Sequence, residues 1–290
     1  MNKVAVVTDS NAGIKASPQF DNLFVVPMPF IIDDVEFFED INLTTDEFFE
    51  KLGHDANIST SQPSYAEVTD LWKKVLTEFE QIVYIPMSSG LSSSCESATH
   101  FAEEDEFRGK VFVVNNQRIS VTQKMSVVEA LEMANSGKSA AEIKDYLEKT
   151  KMEATIYIMV PTLKYLKKGG RVTPSAAALA KLFNIKPILQ IHGERLDSFA
   201  KVINLSQAKQ KMINAVKADL DSFLATPYKD GKLCISIAHT QNEKEALRFK
   251  EDVEKAFPDL PLKFIDPLSL SVSCHIGPGS LAIAVCRCKE

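Results

Sequence analysis

The sequence lacks paired-cysteine motifs, long apolar runs and any concentration of basic residues. Its five cysteines in 290 residues form no CxxC pair, so we expect reduced thiols, with Cys286 and Cys288 inert, rather than disulfides or a metal site. No apolar run approaches the roughly 18 residues that cross a bilayer, and the opening MNKVAVVTDS lacks the apolar core of a signal peptide. The net charge is −6 without a basic stripe, which argues against a nucleic-acid partner. These absences predict a cytoplasmic protein with no transmembrane segment, no metal and no cofactor.

What the sequence does contain is an alternation of short β-branched runs with longer amphipathic ones. Apolar residues make up 45% of the chain and charged residues 25%, and the length suits two domains of roughly 100 to 200 residues. The alternation predicts α/β domains with mostly parallel sheets flanked by helices. We place the boundary near residue 150, which gives an N-terminal domain over residues 1–150 and a C-terminal domain over residues 151–290.

The individual elements follow from the same periodicities. In the first half, the predicted strands cover residues 3–8, 22–26, 81–87 and 110–114. The predicted helices there cover residues 65–80, 95–104, 125–134 and 140–149, and Ser64 with Glu67 forms a capping-box pattern before the first of them. In the second half, the predicted strands cover residues 155–160, 188–191, 201–203, 232–239, 262–265 and 280–286, and the helices cover 175–183, 206–223 and 243–256.

A serine-rich loop, SSGLSSSCESA at residues 88–98, lies between a predicted strand and a predicted helix. In open α/β sheets this is the edge where ligands bind, and the first amides of a helix attract anions. Ser92, Ser93 and Ser94 add neutral donors without a lysine or arginine, which favours a singly charged carboxylate over phosphates. The structural alternative is helix capping and a solvated turn.

Three more segments carry candidate groups. ISTSQPS at residues 58–64 is a second hydroxyl cluster ahead of a helix, and Thr60 lies outside its cap. CHIGPG at residues 274–279 permits a tight turn, which His275 leads into. LKYLKKGGRV at residues 163–172 ends a predicted helix with two glycines and Arg171. Structural interpretations also exist for each: a cap, a structural histidine and a helix stop.

The ordered motifs TDS at residues 8–10, TSQPS, SSGLSSSCESA, LKKGGRV and HIGPG resemble the DegV family of bacterial fatty-acid-binding proteins. The resemblance implies two α/β domains with a long-chain fatty acid between them. It also implies that a separate fatty acid kinase phosphorylates the bound fatty acid for phospholipid synthesis, with Arg171 in partner docking. It implies that Thr60, Ser92 and His275 hold the carboxylate of the fatty acid. We add Ser61, Ser93 and Gly277, from the same motifs, as further candidate ligand-binding residues.

The sequence departs from the family pattern in places. Ser93 replaces a usual glycine, Asn115 and Asn116 replace a usual Asp-Ser pair, and the glycines expected near Ser120 are absent. Small residues in the predicted helix 175–183 offer a groove for an acyl chain or, equally, a close helix–sheet contact. Phe37, Phe38, Phe48 and Phe49 are interpreted as core residues, with a mobile cover as the alternative.

Two enzyme classes and a plain interaction protein compete with a lipid carrier. A hydrolase would use Ser92 as nucleophile, His275 as base and Asp9 to orient the histidine, yet the GxSxG elbow is absent. A kinase would use Gly169 and Gly170 at a phosphate loop, yet no GxxxxGK[ST] motif is present. The sequence therefore favours a non-catalytic carrier.

Overall fold

The computed structural model describes residues 3–15, 20–54, 56–170 and 185–288. The chain divides into two compact units, Met1–Met152 (unit 1) and Glu153–Glu290 (unit 2). Their boundary follows Met152, two residues beyond the boundary after residue 150 that the sequence predicts. Each unit has its own sheet and its own apolar core.

The main sheet of unit 1 is parallel throughout. Its strands are β1 (Val4–Asp9), β2 (Leu23–Val26), β6 (Gln81–Ile85) and β7 (Val111–Val113), in the spatial order β2-β1-β6-β7. Side chains alternate between its faces: Val4 and Val6 belong to one core cluster, and Ala5 and Val7 belong to another. The sheet is therefore covered on both faces, as the continuous apolar character of β1 requires.

Helices cover both faces of this sheet. The α-helices of unit 1 within the described residues are α1 (Thr45–Gly53), α2 (Tyr65–Val75), α3 (Ser94–Ala102), α4 (Ser120–Asn135) and α5 (Ala140–Lys149). α2 and α3 pack around Trp72 on one face, and α4 and α5 pack around Leu131 and Ile143 on the other. Ser64 and Glu67 form the predicted capping box at the start of α2, so that prediction is confirmed.

A small antiparallel sheet in unit 1 was not predicted. It consists of β3 (Pro29–Ile32), β4 (Val35–Phe38) and β5 (Ile58–Thr60), in the order β4-β3-β5. Phe48 is fully buried and its ring meets that of Phe30 edge-on, with centroids 5.6 Å apart. Phe48 is thus a core residue, and Phe37, Phe38 and Phe49 are half-buried.

The sheet of unit 2 corrects the expectation of mostly parallel strands. Its strands are β8 (Ala154–Met159), β9 (Lys186–His192), β10 (Arg195–Val202), β11 (Leu233–His239), β12 (Leu262–Pro267) and β13 (Leu281–Arg287). The spatial order is β10-β9-β8-β13-β11-β12, and among the described pairings only β11 with β12 is parallel. The α/β class is confirmed, but parallel pairing dominates only in the main sheet of unit 1.

The helices of unit 2 within the described residues are α6 (Lys164–Lys168), α7 (Leu205–Leu220), α8 (Ala225–Lys229), α9 (Glu243–Ala256) and α10 (Leu270–Ile276). α7 and α9 cover the sheet through Met212, Val216, Phe249 and Val253. Apart from the helix predicted over residues 175–183, which lies outside the described residues, every predicted element overlaps an observed one. Across the described ranges, no helix is long and apolar enough to cross a membrane.

All five cysteines are free and buried. Cys234 on β11 is register partner of Cys286 on β13, with the two Sγ atoms 3.9 Å apart. Cys286 and Cys288 are 1% and 5% exposed. They belong to the packed end of the sheet, so burial accounts for the inertness that we expect of them.

Candidate functional site

The polar motifs of unit 1 gather at one edge of the parallel sheet. The chain leaves β1 toward β2 on one side and leaves β6 toward β7 on the other, so the strand order changes direction between β1 and β6. Ligands of open α/β sheets bind outside the carboxyl ends of the strands at such a point. Asp9 ends β1 there, and the serine loop follows β6.

Asp9 is fully buried and its carboxylate is surrounded by N–H donors. Oδ2 accepts the amide of Met87 at 2.7 Å, and Oδ1 accepts the amide and Nδ2 of Asn11, both at 3.0 Å, and Nε2 of Gln123 at 3.1 Å. Burial raises the pKa of Asp9, and these four hydrogen bonds oppose the rise. The carboxylate therefore joins the end of β1 to the chain that follows β6.

The serine loop forms a tight turn before α3. The carbonyl of Ser88 accepts the amides of Leu91 and Ser92, at 3.0 and 3.2 Å. The hydroxyl of Ser92 accepts the amide of Ser94 at 3.1 Å and lies 2.8 Å from the hydroxyl of Ser94. Ser93 is the N-cap residue and is exposed, and its side chain makes no capping hydrogen bond. Ser92, rather than Ser93, therefore satisfies the first amide of the helix.

The second hydroxyl segment is tied to the serine loop. Thr60 ends β5, opposite Phe30, and is half-buried. Ser61 is exposed and its hydroxyl donates to the carbonyl of Gln62 at 3.1 Å. The Oε1 atom of Gln62 in turn accepts the hydroxyl of Ser97 on α3 at 3.1 Å. The structure thus brings the TSQPS segment and the serine-loop helix together.

Arg118 anchors the serine loop through its backbone carbonyl, a role that the sequence does not predict. Its carbonyl accepts the amide of Ser88 at 2.8 Å. Its guanidinium is buried and donates to Ser126 Oγ and to the carbonyl of Thr150, both at 3.0 Å, with the carboxylate of Glu129 4.0 Å away. A buried arginine held at several points is a rigid support. Sequence position alone, between a strand and a helix, does not reveal it.

The backbone at the start of α4 is strained where the family resemblance leads us to expect glycine. Gln117 and Ser120 have φ values of 58° and 56°. This left-handed conformation costs residues other than glycine roughly 1 kcal/mol or more. The departure from the family pattern near Ser120 is therefore accommodated by strain within the described backbone.

In unit 2, His275 lies on a helix. The sequence predicts a loop or turn at this residue, but His275 occupies the last turn of α10, and Gly277 ends that helix with a φ of 75°. The error arose because LSVSCHI has no amphipathic pattern. The helix begins instead with Ser269 as N-cap, whose hydroxyl accepts the amide of Val272 at 3.4 Å. His275 is half-buried.

The GPG turn after His275 is held by residues that follow β11. Thr240 Oγ1 donates to the carbonyl of Gly277 at 2.5 Å, and Asn242 Nδ2 donates to the carbonyl of Gly279 at 3.1 Å. The amide of Asn242 donates to Nδ1 of His239 at 3.3 Å. Burial lowers the pKa of His239, which keeps the ring neutral and able to accept this bond. Thr240 and Asn242 were also missed from the sequence.

The predicted helix stop packs against the same turn. α6 contacts α10, and the backbone of Gly169 lies directly against the imidazole of His275, while the ring of Tyr165 lies against Gly277. The LKKGG and HIGPG motifs are therefore neighbours within unit 2. Arg171 and the small residues of the predicted helix 175–183, among them Ala176 and Ala180, lie outside the described residues.

The fold and these sites define a two-unit α/β protein with neutral hydroxyl and amide groups at the strand ends of unit 1 and a packed histidine turn in unit 2. A family model described as "Uncharacterised protein, DegV family" matches residues 3–287. The chain belongs to the DegV family, and the resemblance inferred from the motifs is confirmed.

Known relatives match over nearly the whole chain. The DegV domain-containing protein CPE0026 of Clostridium perfringens is 28% identical over 291 residues, which cover 98% of this chain and 97% of that one. A fatty-acid-binding DegV family protein from Thermus thermophilus superposes with a TM-score of 0.85 at 24% identity, covering 98% and 99% of the two chains. A stearic-acid-binding protein from Eubacterium ventriosum gives 0.86 at 23% identity, covering 99% and 98%. These structural matches establish the fold.

Proposed function

We propose that this protein binds a long-chain fatty acid, with the carboxylate held by Thr60 and Ser92 of unit 1 and His275 of unit 2. The observation that carries the proposal is the hydrogen bond between Gln62 and Ser97, which joins the two hydroxyl segments at the carboxyl edge of the sheet. The fatty-acid-binding relatives from Thermus thermophilus and Eubacterium ventriosum support the choice of ligand.

The hydrogen bonds around Ser92 suit a carboxylate acceptor. In the proposed arrangement Ser94 donates both its amide and its hydroxyl to Ser92 Oγ, at 3.1 and 2.8 Å. Both lone pairs of Ser92 are then used, so its own proton is directed to the ligand. A donor that is itself accepting hydrogen bonds is polarised and strengthened. Neutral donors of this kind favour a singly charged carboxylate over a phosphate group.

The remaining candidate residues are assigned lesser parts. Ser61 and Ser93 are exposed, and we propose that they line the approach to the carboxylate. Gly277 uses its amide with the carbonyl of Ser273, at 2.8 Å, and its carbonyl with Thr240. We therefore assign Gly277 the task of letting Tyr165 approach, rather than contact with the ligand.

The acyl chain supplies most of the affinity. Each methylene removed from water contributes about 0.8 kcal/mol, so a chain of roughly 16 carbons contributes about 12 kcal/mol before ordering costs of several kcal/mol. The polar residues then set orientation and select an acid over an ester. We propose that the protein is a carrier and not a catalyst. Its predicted cytoplasmic location is part of this proposal.

Binding is tested by titrating lipid-free protein with palmitic acid, with hexadecanol and with methyl palmitate. We expect the acid to bind roughly ten- to a hundredfold more tightly than the other two, because hydrogen bonds to a charged group contribute about 1.5 to 3 kcal/mol. Equal affinities would contradict the carboxylate site. Turnover of a p-nitrophenyl ester that depends on Ser92 would instead support the hydrolase alternative.

We also propose that a separate fatty acid kinase phosphorylates the bound fatty acid, with Arg171 contacting the kinase. Arg171→Ala is expected to leave the affinity for fatty acid within about twofold of the parent, because the lost contact is with the partner. The same change should slow acyl-phosphate formation by a cognate kinase by roughly tenfold or more, the effect of losing about 1.4 kcal/mol or more at an interface. Phosphorylation of the parent and variant at equal rates would exclude this role.

A further inference from the structure

Two adjacent glycines end α6, and they are required for opposite reasons. Gly170 has a φ of 67°, and a Cβ built on it meets nothing within 4 Å. Gly170 therefore serves the backbone conformation. Gly169 has a φ of −79° and a ψ of −5°, which any residue can adopt. Its lack of a side chain is not explained by its own backbone.

The neighbour of Gly169 explains it. A Cβ at this position would lie 2.0 Å from Nδ1, 2.6 Å from Cε1 and 3.2 Å from Cγ of His275. Ordinary contacts begin near 3.4 Å, so the ring would have to retreat by about 1.4 Å (3.4 minus 2.0). The imidazole of His275 thus rests directly on the backbone of Gly169.

A second contact fixes the same pair of segments. A Cβ on Gly277 would lie 2.2 Å from the Cδ2 atom of Tyr165. α6 and the end of α10 therefore interlock at two points, with one glycine contributed by each segment. α10 continues directly into the GPG turn, and hydrogen bonds from Thr240 and Asn242 hold that turn in place. The end of α10 therefore cannot shift freely to move the imidazole away from Gly169.

We infer that Gly169 is a positioning residue that sets the orientation of the His275 ring and thereby the selectivity for a carboxylate. The part of the inference that concerns carboxylate selectivity rests on the proposed function. The part that concerns the orientation of the His275 ring does not depend on any ligand. Gly169 touches no ligand in this account and acts only through His275. Its substitution should therefore have no effect once the imidazole is gone.

A double-mutant cycle on thermal stability tests the structural half without any ligand. Gly169→Ala alone should lower the melting temperature by about 5 °C or more. In the His275→Ala background, where the ring has been removed, the same substitution should lower it by less than about 1 °C. If Gly169→Ala prevents folding, the double variant should restore it. An equal loss in both backgrounds, or a double variant that stays unfolded, would overturn the inference.

Ligand titration then tests selectivity, with Gly170→Ala as the matched control. Gly169→Ala should weaken palmitic acid binding roughly tenfold or more and methyl palmitate by less than twofold, as His275→Ala does. Gly170→Ala should lower stability but leave the acid-to-ester ratio unchanged. If His275→Ala changes the acid-to-ester ratio and Gly169→Ala does not, the inference about Gly169 is refuted and the proposed carboxylate site stands. If neither changes it, the proposed carboxylate site fails.

Discussion

Replacing Asp9 by alanine is expected to lower the free energy of unfolding of unit 1 by about 3 kcal/mol or more. The substitution leaves the amides of Met87 and Asn11 and the side-chain amides of Asn11 and Gln123 without their acceptor. Each buried donor left without its acceptor typically costs about 1–3 kcal/mol, because the group has lost both water and its partner. The serine loop should lose its fixed position as well.

The single tryptophan of the chain makes this measurement specific to one unit. Trp72 is fully buried in the core of unit 1, so its fluorescence during urea denaturation reports on unit 1. Asp70→Ala, an exposed position on α2, is the matched control and should change stability by less than about 0.5 kcal/mol. A loss for Asp9→Ala as small as that of the control would contradict the anchoring role.

The pKa of Asp9 gives this network a pH dependence. Because burial raises that pKa above its ordinary value of 3.8, the folded protein holds the proton to higher pH than the unfolded chain does. Between pH 3.8 and the raised pKa of the folded state, Asp9 therefore makes the free energy of unfolding fall as the pH rises. Asn at this position cannot titrate, so Asp9→Asn should flatten this part of the stability profile.

Ser92→Ala is expected to weaken palmitic acid binding roughly ten- to a hundredfold and to leave methyl palmitate nearly unaffected. The lost hydroxyl is the proposed donor to the carboxylate, and such a bond contributes about 1.5 to 3 kcal/mol. Thr60→Ala and His275→Ala should show the same selective loss. Ser92→Thr retains the hydroxyl and should recover most of the affinity for the acid.

Ser92 also accepts the amide of Ser94, so stability has to be measured beside affinity. Loss of this bond should cost about 1 kcal/mol of stability, as loss of a helix cap does. Ser59→Ala, at an exposed position on β5 next to Thr60, is the control for a hydroxyl that has no part in the proposed site. A loss of stability accompanied by equal weakening of acid and ester would mean that Ser92 has only a structural role.

The main elements of the fold were predictable because their patterns are local. Ser139 and Glu142 cap α5, which the sequence predicted over the same residues, 140–149. The antiparallel character of the second sheet was not predictable in this way. β8, β11 and β13 are buried almost throughout, and a strand buried on both faces has the same apolar pattern in either direction.

The small sheet of unit 1 was missed for a related reason. β3 and β4 have four residues each, and their connection uses Asp33 and Asp34 with φ values of 48° and 66°. Hairpins of this kind are usually signalled by a glycine, which is absent here. The short strand β5, which carries Thr60, therefore looked like part of a loop.

The candidate site shows the same division between local and distant information. Ser92 and Thr60 are candidates because hydroxyl-rich segments at element ends are visible in the sequence, and the family resemblance selects these two residues within them. Gly169 was visible only as a helix stop, since its contact with His275 joins residues more than a hundred positions apart. Arg118 and Gln123 act through buried hydrogen bonds that no sequence motif marks.

The central claim is tested most directly by identifying what the protein carries. Protein purified from a bacterial host under mild conditions is denatured, extracted with organic solvent and measured by mass spectrometry. The account predicts a long-chain fatty acid of roughly 16 to 18 carbons at close to one molecule per chain, and much less from the Ser92→Ala variant. A stoichiometric nucleotide or sugar, with no fatty acid in the extract, would contradict it.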